Sequence, residues 1–211
     1  KQKDTYFGPK FSNKEIQNIL DKARLSYKVL KNVEKETANL IYKGNIVGWF
    51  QGRMEMGPRA LGNRSILADP RFLKLKNKVN RIKRRENFRP LCPTILEDYA
   101  PRFLENYFYS PFMSISFNVN KKMKKLIKGV VHVDNTVRPQ ILKKEINPRY
   151  YNLIDNFRKL SGIPMMLNTS LNIKGEPICC TPEDAIKCFL KTDLDYLVIG
   201  DFILDKKLNG S

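Results

Sequence analysis

The chain has 211 residues, 39 of them Lys or Arg against 21 Asp or Glu, for a formal net charge of +18 with 42% hydrophobic content. That much apolar material supports a buried core and excludes global disorder, and the length suits one domain of generous size. No apolar run is long enough to cross a bilayer, the best stretch being Tyr196–Leu204 with Asp201 inside it; the surplus charge therefore points to nucleic acid, an anionic surface or phosphorylated small molecules as partner.

The chain opens KQKDTYFGPK, with no initiator methionine and no apolar signal region, as expected of a piece of a longer cytoplasmic polypeptide. Ser12 with Glu15 forms a capping-box pattern ahead of Ile16, Ile19 and Leu20, predicting a first helix. A second helix is predicted over Val33–Tyr42, stopped near Gly44. Residues 1–44 thus read as a helical lead-in packed onto a core over 45–205, with a tail at 206–211. Asn45–Phe50 reads as a buried strand that delivers the chain into Gly52–Ser65, GRMEMGPRALGNRS. Phe72, Leu75, Val79 and Ile82 fall at helical spacing, predicting an amphipathic helix over Arg71–Ile82.

Leu91–Leu96 and Phe112–Val119 read as strands, the latter from its alternation. Tyr150–Leu160 reads as a helix ended by Gly162 and Pro164, and Met165–Asn168 as a short apolar strand. Thr181 before Pro182, Glu183 and Asp184 marks a helix start. Tyr196–Ile199 and Phe202–Leu204 close the chain as strands, so the order of elements predicts an α/β fold with a mixed sheet.

Four polar clusters carry candidate chemistry. Gly52–Ser65 holds three arginines, Arg53, Arg59 and Arg64, among three glycines; such a loop combines close backbone approach with planar donor forks for anions. Glu55 is expected to orient Arg53 and Arg59. Lys83, Arg85 and Arg89 stand in KRRENFRP, and Arg138 in HVDNTVRP, each of the last two arginines stiffened by a following proline. His132 is the only histidine; proton transfer and a structural hydrogen bond are both open to it. Asn168, Ser170 and Asn172 follow a strand, where α/β sheets place ligands, although the same residues also make a turn that caps its own backbone. Cys92, Cys179, Cys180 and Cys188 show no CxxC spacing, so no metal site is expected and all four read as reduced thiols. Neither GxxxxGK[ST] nor GxGxxG occurs. With no nucleophile signature, the expected chemistry is positioning and charge neutralisation at phosphorus.

The strings GRMEMGPRALGNRSILADPR, KRRENFRPLCP, HVDNTVRPQ and PMMLNTSLNIKGEPI, in that order, resemble the C-terminal region of O-carbamoyltransferases, over roughly Gly8 to Asp205. That region is similar to YrdC-like domains. The resemblance implies a twisted, open mixed sheet flanked by helices, with a positively charged concave cleft. It implies a site framed by Lys83 with Arg85 and by Ser170 with Asn172. The implied substrates are carbamoyl phosphate and ATP, with Mg2+ carried on ATP, and the implied product is carbamoyl-adenylate. Lys83, Arg89, Arg138 and Ser170 would act on the phosphates, with Arg59, Arg64, His132 and Asn168 lining the same cleft. The implied partner is an N-terminal actin/Hsp70-like metal-binding domain of the same polypeptide, which passes the carbamoyl group to a hydroxyl; no membrane partner is expected. Leu91-Cys92 and Leu171 depart from the family's usual residues but stay apolar. Two other readings stand beside this one. An RNA-binding module fits the charge but lacks spaced exposed aromatics, and a threonylcarbamoyl-adenylate synthase for tRNA shares the chemistry but does not call for GPRALGNRS.

Overall fold

The computed structural model describes residues 2–209. Its first helix, α1 (Asn13–Lys22), starts at the predicted capping box: Ser12 Oγ accepts from the Glu15 amide and the Glu15 carboxylate accepts from the Ser12 amide. Ile16 and Leu20 point into the core. The short strand β1 (Lys28–Val29) follows, then α2 (Val33–Tyr42), capped by Asn32. The remaining major helices are α3 (Leu73–Ile82), the single turn α4 (Ala100–Phe103), α5 (Pro148–Ser161) and α6 (Pro182–Leu190). α5 has Pro148 in its first turn and ends at Gly162 with φ of 75°, the usual proline-in, glycine-out asymmetry. α6 carries a second capping box, Thr181 with Asp184. The expected tail is described as far as α7 (Lys206–Asn209); Gly210 and Ser211 lie outside the described residues.

Eight strands form one mixed sheet. Besides β1 these are β2 (Val47–Phe50), β3 (Arg64–Ala68), β4 (Cys92–Leu96), β7 (Gln140–Leu142), β8 (Met165–Ser170), β9 (Tyr196–Ile199) and β10 (Phe202–Asp205), in the order β1-β10-β9-β2-β3-β8-β4-β7. β2 runs parallel to β9 and β4 parallel to β7; the other neighbours are antiparallel. α2 and α5 pack against each other, α5 also touches β4 and β8, α6 lies on β2 and β9, and α3 on β3. Every residue of β2, β3, β4 and β7 is buried, as expected of strands covered on both faces.

Several elements differ from the sequence expectation, among them β1, an edge strand supplied by the lead-in expected to be helical. Phe112–Val119 is not one strand. Only its far end pairs, β5 (Phe117–Asn118) with β6 (Thr136–Val137) and Val119 in a lone antiparallel bridge with Leu104, while Met113 adopts φ of 53° and turns its side chain inward beside Leu61 and Cys92. Central β3 was absent from the expected strands, since its outer half, Arg64-Ser65, reads as the end of the polar loop. β7 was absent too, being only three residues long.

Register decides where the loops go. Phe50 at the end of β2 faces Arg64 at the start of β3, Ser65 faces Ser170 at the end of β8, and Asn168 faces Cys92 at the start of β4. The loop between β2 and β3, the approach to β4 and the exit from β8 therefore share one end of the sheet. Gly62 anchors the first of these loops: its φ is 106°, its carbonyl accepts from Trp49 Nε1 at 2.9 Å, and a Cβ there would lie 2.1 Å from Tyr150 Cδ1. Gly62→Ala combines a backbone conformation hostile to side chains with overlap against a buried ring. It is expected to destabilise the protein by at least about 2 kcal/mol, read from the urea midpoint.

Candidate active site

At that sheet end Arg59, Arg85, Arg138, Asn168 and Ser170 line one cavity of about 110 Å³, together with Cys92. A wider cavity of about 300 Å³ shares Pro58, Arg59, Met113 and Arg138 with it. Each arginine arrives differently. Arg59 rides the glycine loop, and Arg85 follows the end of α3. Arg138 stands two residues before Gln140, as Cys92 stands two before Thr94, and Gln140 pairs with Thr94 between parallel strands. Arg138 Nη2 accordingly meets Cys92 Sγ at 3.5 Å. Its Nε is buried without a hydrogen-bond partner. Burial, then the positive charges of Arg89 and Arg59, push the Arg85 guanidinium below its ordinary pKa. No carboxylate side chain lines either cavity among the described residues.

The polar wall opposite is fixed from behind. Asn168 Nδ2 donates to Ala60 O at 3.2 Å and to Thr94 Oγ1 at 3.0 Å, while Thr94 Oγ1 donates to Gln140 Oε1 at 2.8 Å. Asn168 is 1% exposed, and its Oδ1 is buried with no partner. Ser170 Oγ donates to Asn172 Oδ1 at 2.7 Å, and Asn172 Nδ2 donates to Glu176 O at 2.7 Å. Lys83 is 0% exposed, and its Nζ donates among Ser170 O (2.5 Å), Asn172 Oδ1 (2.6 Å), Asn172 O (3.0 Å) and Ser170 Oγ (3.2 Å). Burial, reinforced by Arg85, pushes the Lys83 pKa from 10.5 to about 7, while the four oxygens favour keeping the proton.

Residues 38–206 match the family model described as "Carbamoyltransferase C-terminus". The chain belongs to the carbamoyltransferase C-terminal family. It is 40% identical to the uncharacterized protein sll1178 of Synechocystis sp., over 96% of this chain and 37% of that protein. It is 39% identical to nodulation protein NolO of Bradyrhizobium diazoefficiens, over 97% and 38%. It is 34% identical to the 3'-hydroxymethylcephem-O-carbamoyltransferase of Amycolatopsis lactamdurans, over 86% and 34%. The chain thus spans little more than a third of the length of these curated relatives. Among solved structures, full-length HypF in its phosphate- and nucleotide-bound form matches with a TM-score of 0.58 at 16% identity, over 81% of this chain and 25% of that one. Sua5 of P. abyssi, complexed with L-threonine, matches with a TM-score of 0.56 at 15% identity, over 80% and 46%. At such identities the two structures establish a shared fold.

Within this carbamoyltransferase C-terminal family domain the remaining sequence candidates fall in different places. Asn172 and Lys83 sit behind Ser170. Arg89 is half-exposed, 3.6 Å from Glu86, and is not among the cavity-lining residues. His132 Nδ1 lies 3.3 Å from Thr136 Oγ1, and the ring keeps its pKa below the ordinary value through burial, ahead of the charges of Arg138 and Lys76; it too lies off the cavity lining. Arg64 corrects the expectation. It is 0% exposed, stacked 3.6 Å over the Phe50 ring, and donates to the carbonyls of Gln51, Asn63 and Pro9, outside both cavities. Its place as first residue of β3 turns it away from the arginine that precedes it by five positions. Glu55 also differs: it accepts from backbone amides rather than from Arg53 or Arg59. Cys92, known beforehand only as a thiol, contacts Arg138; nothing local to its sequence signals that, because the contact depends on strand register. The cysteines are free, with three of the four buried.

Because Lys83 titrates near 7 when folded and near 10.5 when unfolded, the unfolded chain binds more protons across that window. Stability is expected to rise with pH between those values. Lys83→Met removes this contribution, so its urea midpoint should climb less than that of the wild type between about pH 7 and about pH 9.5; equal slopes would contradict the assignment.

Proposed function

We propose that this domain forms carbamoyl-adenylate from carbamoyl phosphate and ATP, in the cytoplasm, for transfer to a hydroxyl by an N-terminal actin/Hsp70-like metal-binding domain of the same polypeptide. The observation that carries this reading is three arginines converging on a cavity that no carboxylate lines. Two phosphorylated substrates repel each other, and bringing them together requires fixed positive charge. The paired cavities sharing Arg59 and Arg138 give room for a small phosphate beside a larger one.

In the proposed sequence water and carbamoyl phosphate yield carbamate and inorganic phosphate. A carbamate oxygen then attacks the α-phosphorus of ATP, and pyrophosphate leaves. Arg59, Arg85 and Arg138 neutralise the charge on the phosphates, with the unpartnered Nε of Arg138 as a ready donor. Asn168 Oδ1, a buried acceptor without a partner, suits the N–H groups of a carbamoyl moiety. Ser170 Oγ is held toward Asn172 and accepts from Lys83 Nζ, which fixes the hydroxyl beside the cavity. Mg2+ would be carried on ATP, held by phosphate and water oxygens, since no carboxylate lines either cavity among the described residues.

Arg138→Ala is expected to lower carbamoyl phosphate-dependent pyrophosphate release at least tenfold, about 1.4 kcal/mol of barrier, with Ser170→Ala similar. Pyrophosphate release indifferent to carbamoyl phosphate, or to Arg138, would overturn the reading. Release driven instead by L-threonine and bicarbonate would move the domain to the threonylcarbamoyl-adenylate class.

A further inference from the structure

Glu55 is the one acidic side chain in the glycine loop, and it is 1% exposed. Its Oε1 accepts three backbone N–H groups, from Leu61 at 2.7 Å, Asn63 at 2.7 Å and Arg64 at 3.2 Å. Converging main-chain donors of this kind make an anion-binding concavity, and here the anion is the chain's own carboxylate. Between Glu55 and Leu61 lie Met56–Ala60, the segment that carries Arg59 into the cavity. The Met56 amide reaches Thr5 O at 2.8 Å, whereas Leu61 is held on its carbonyl by Tyr6 Oη at 2.8 Å and Gln140 Nε2 at 2.9 Å. The carboxylate therefore closes a short, glycine-containing loop from inside by tying its far end to its near end.

Other roles fit less well. Glu55 is not among the residues lining either arginine cavity, which separates it from proton transfer at the substrate. No group of three potential metal ligands occurs among the described residues. The Arg64 guanidinium bonds to main-chain carbonyls, leaving only its amide on Glu55.

We propose that Glu55 is a positioning residue: its carboxylate fixes the Met56–Ala60 loop so that Arg59 enters the cavity pre-oriented toward an anionic substrate. This rests on the proposed function for the identity of the anion and on geometry alone for the loop. What matters first is an acceptor oxygen at the right reach, and the negative charge strengthens the bonds that oxygen accepts. Glu55→Gln keeps the reach and an acceptor; Glu55→Asp keeps the charge and falls one methylene short.

The test uses the full chain and its Glu55→Gln, Glu55→Asp and Arg59→Ala variants, with the double variant Glu55→Asp/Arg59→Ala. Hydrogen exchange at the amides of Leu61, Asn63 and Arg64 reads the loop, and calorimetric binding of ATP and of carbamoyl phosphate reads the site. Glu55→Gln is expected to retain amide protection and bind within about fivefold of wild type, while Glu55→Asp loses protection over this segment and weakens binding at least about tenfold. In the Arg59→Ala background the Asp substitution should add little, because both act through one side chain. Gln as damaging as Asp, unchanged protection in Asp, or additive losses in the double variant would each overturn the proposal. Should wild type bind neither ligand, the functional reading fails, and the exchange data alone still decide whether Glu55 sets the loop.

Discussion

Lys83 places an amine where no water reaches it, and among the described residues no carboxylate bonds to it: its partners are two carbonyls, a side-chain amide oxygen and a hydroxyl. Burying an ammonium costs several kcal/mol unless its donors are filled, and here four oxygens within 3.2 Å fill them. The consequence is mechanical. The end of α3 and the end of β8, nearly ninety residues apart in sequence, are locked together, and everything that follows each of them is set relative to the other. Removing the amine would also strand buried acceptors, the more costly half of a lost hydrogen bond.

A second constraint follows from this lock. With Ser170 fixed on one side and Arg85 two residues past the lysine on the other, the cations of three separate loops are brought within each other's field. Arg85 feels this directly, lying below its ordinary pKa through burial and through Arg89 and Arg59. Like charges held near one another destabilise a fold, and the protein tolerates it because backbone geometry is paid for elsewhere: strand register sets Arg138 beside Cys92, and the Glu55 carboxylate closes the glycine loop. On the proposed function, an arriving anion would relieve that repulsion.

Much of the arrangement was legible in the sequence, for physical reasons that differ by residue. Helix ends were read well, because capping is local: Ser12 with Glu15 and Thr181 with Asp184 both bond as their spacing predicts. The gathering of Arg59, Arg85, Arg138, Asn168 and Ser170 was implied by the resemblance to YrdC-like domains. Arg64 was misread because arginine serves two ends, as a free cation and as a planar donor to main-chain carbonyls over an aromatic ring, and only its position as first residue of β3 decides which. Strand β3 itself escaped because its first two residues, Arg64 and Ser65, read as the end of the polar loop. Phe112–Val119 failed in the opposite sense: it alternates, but Met113 breaks the extended backbone.

The clearest case of local geometry deciding function is the pair Lys83 and Arg85, two cations in one short string with opposite fates. α3 ends at Lys83, and Arg84 adopts φ of 51°, the left-handed conformation that glycine usually supplies at this position. The Arg85 amide then bonds back to Asn80 O at 2.8 Å, closing the reversal that ends such helices. A helix continued through this point would set the two side chains about 200° apart on one cylinder; the reversal at Arg84 ends that cylinder, with Lys83 beneath Ser170 and Arg85 lining the cavity. A side-chain-bearing residue in that conformation costs roughly 1–2 kcal/mol, strain of the kind that functional sites retain. It is borne at the one residue between Lys83, bonded beneath Ser170, and Arg85, which lines the cavity.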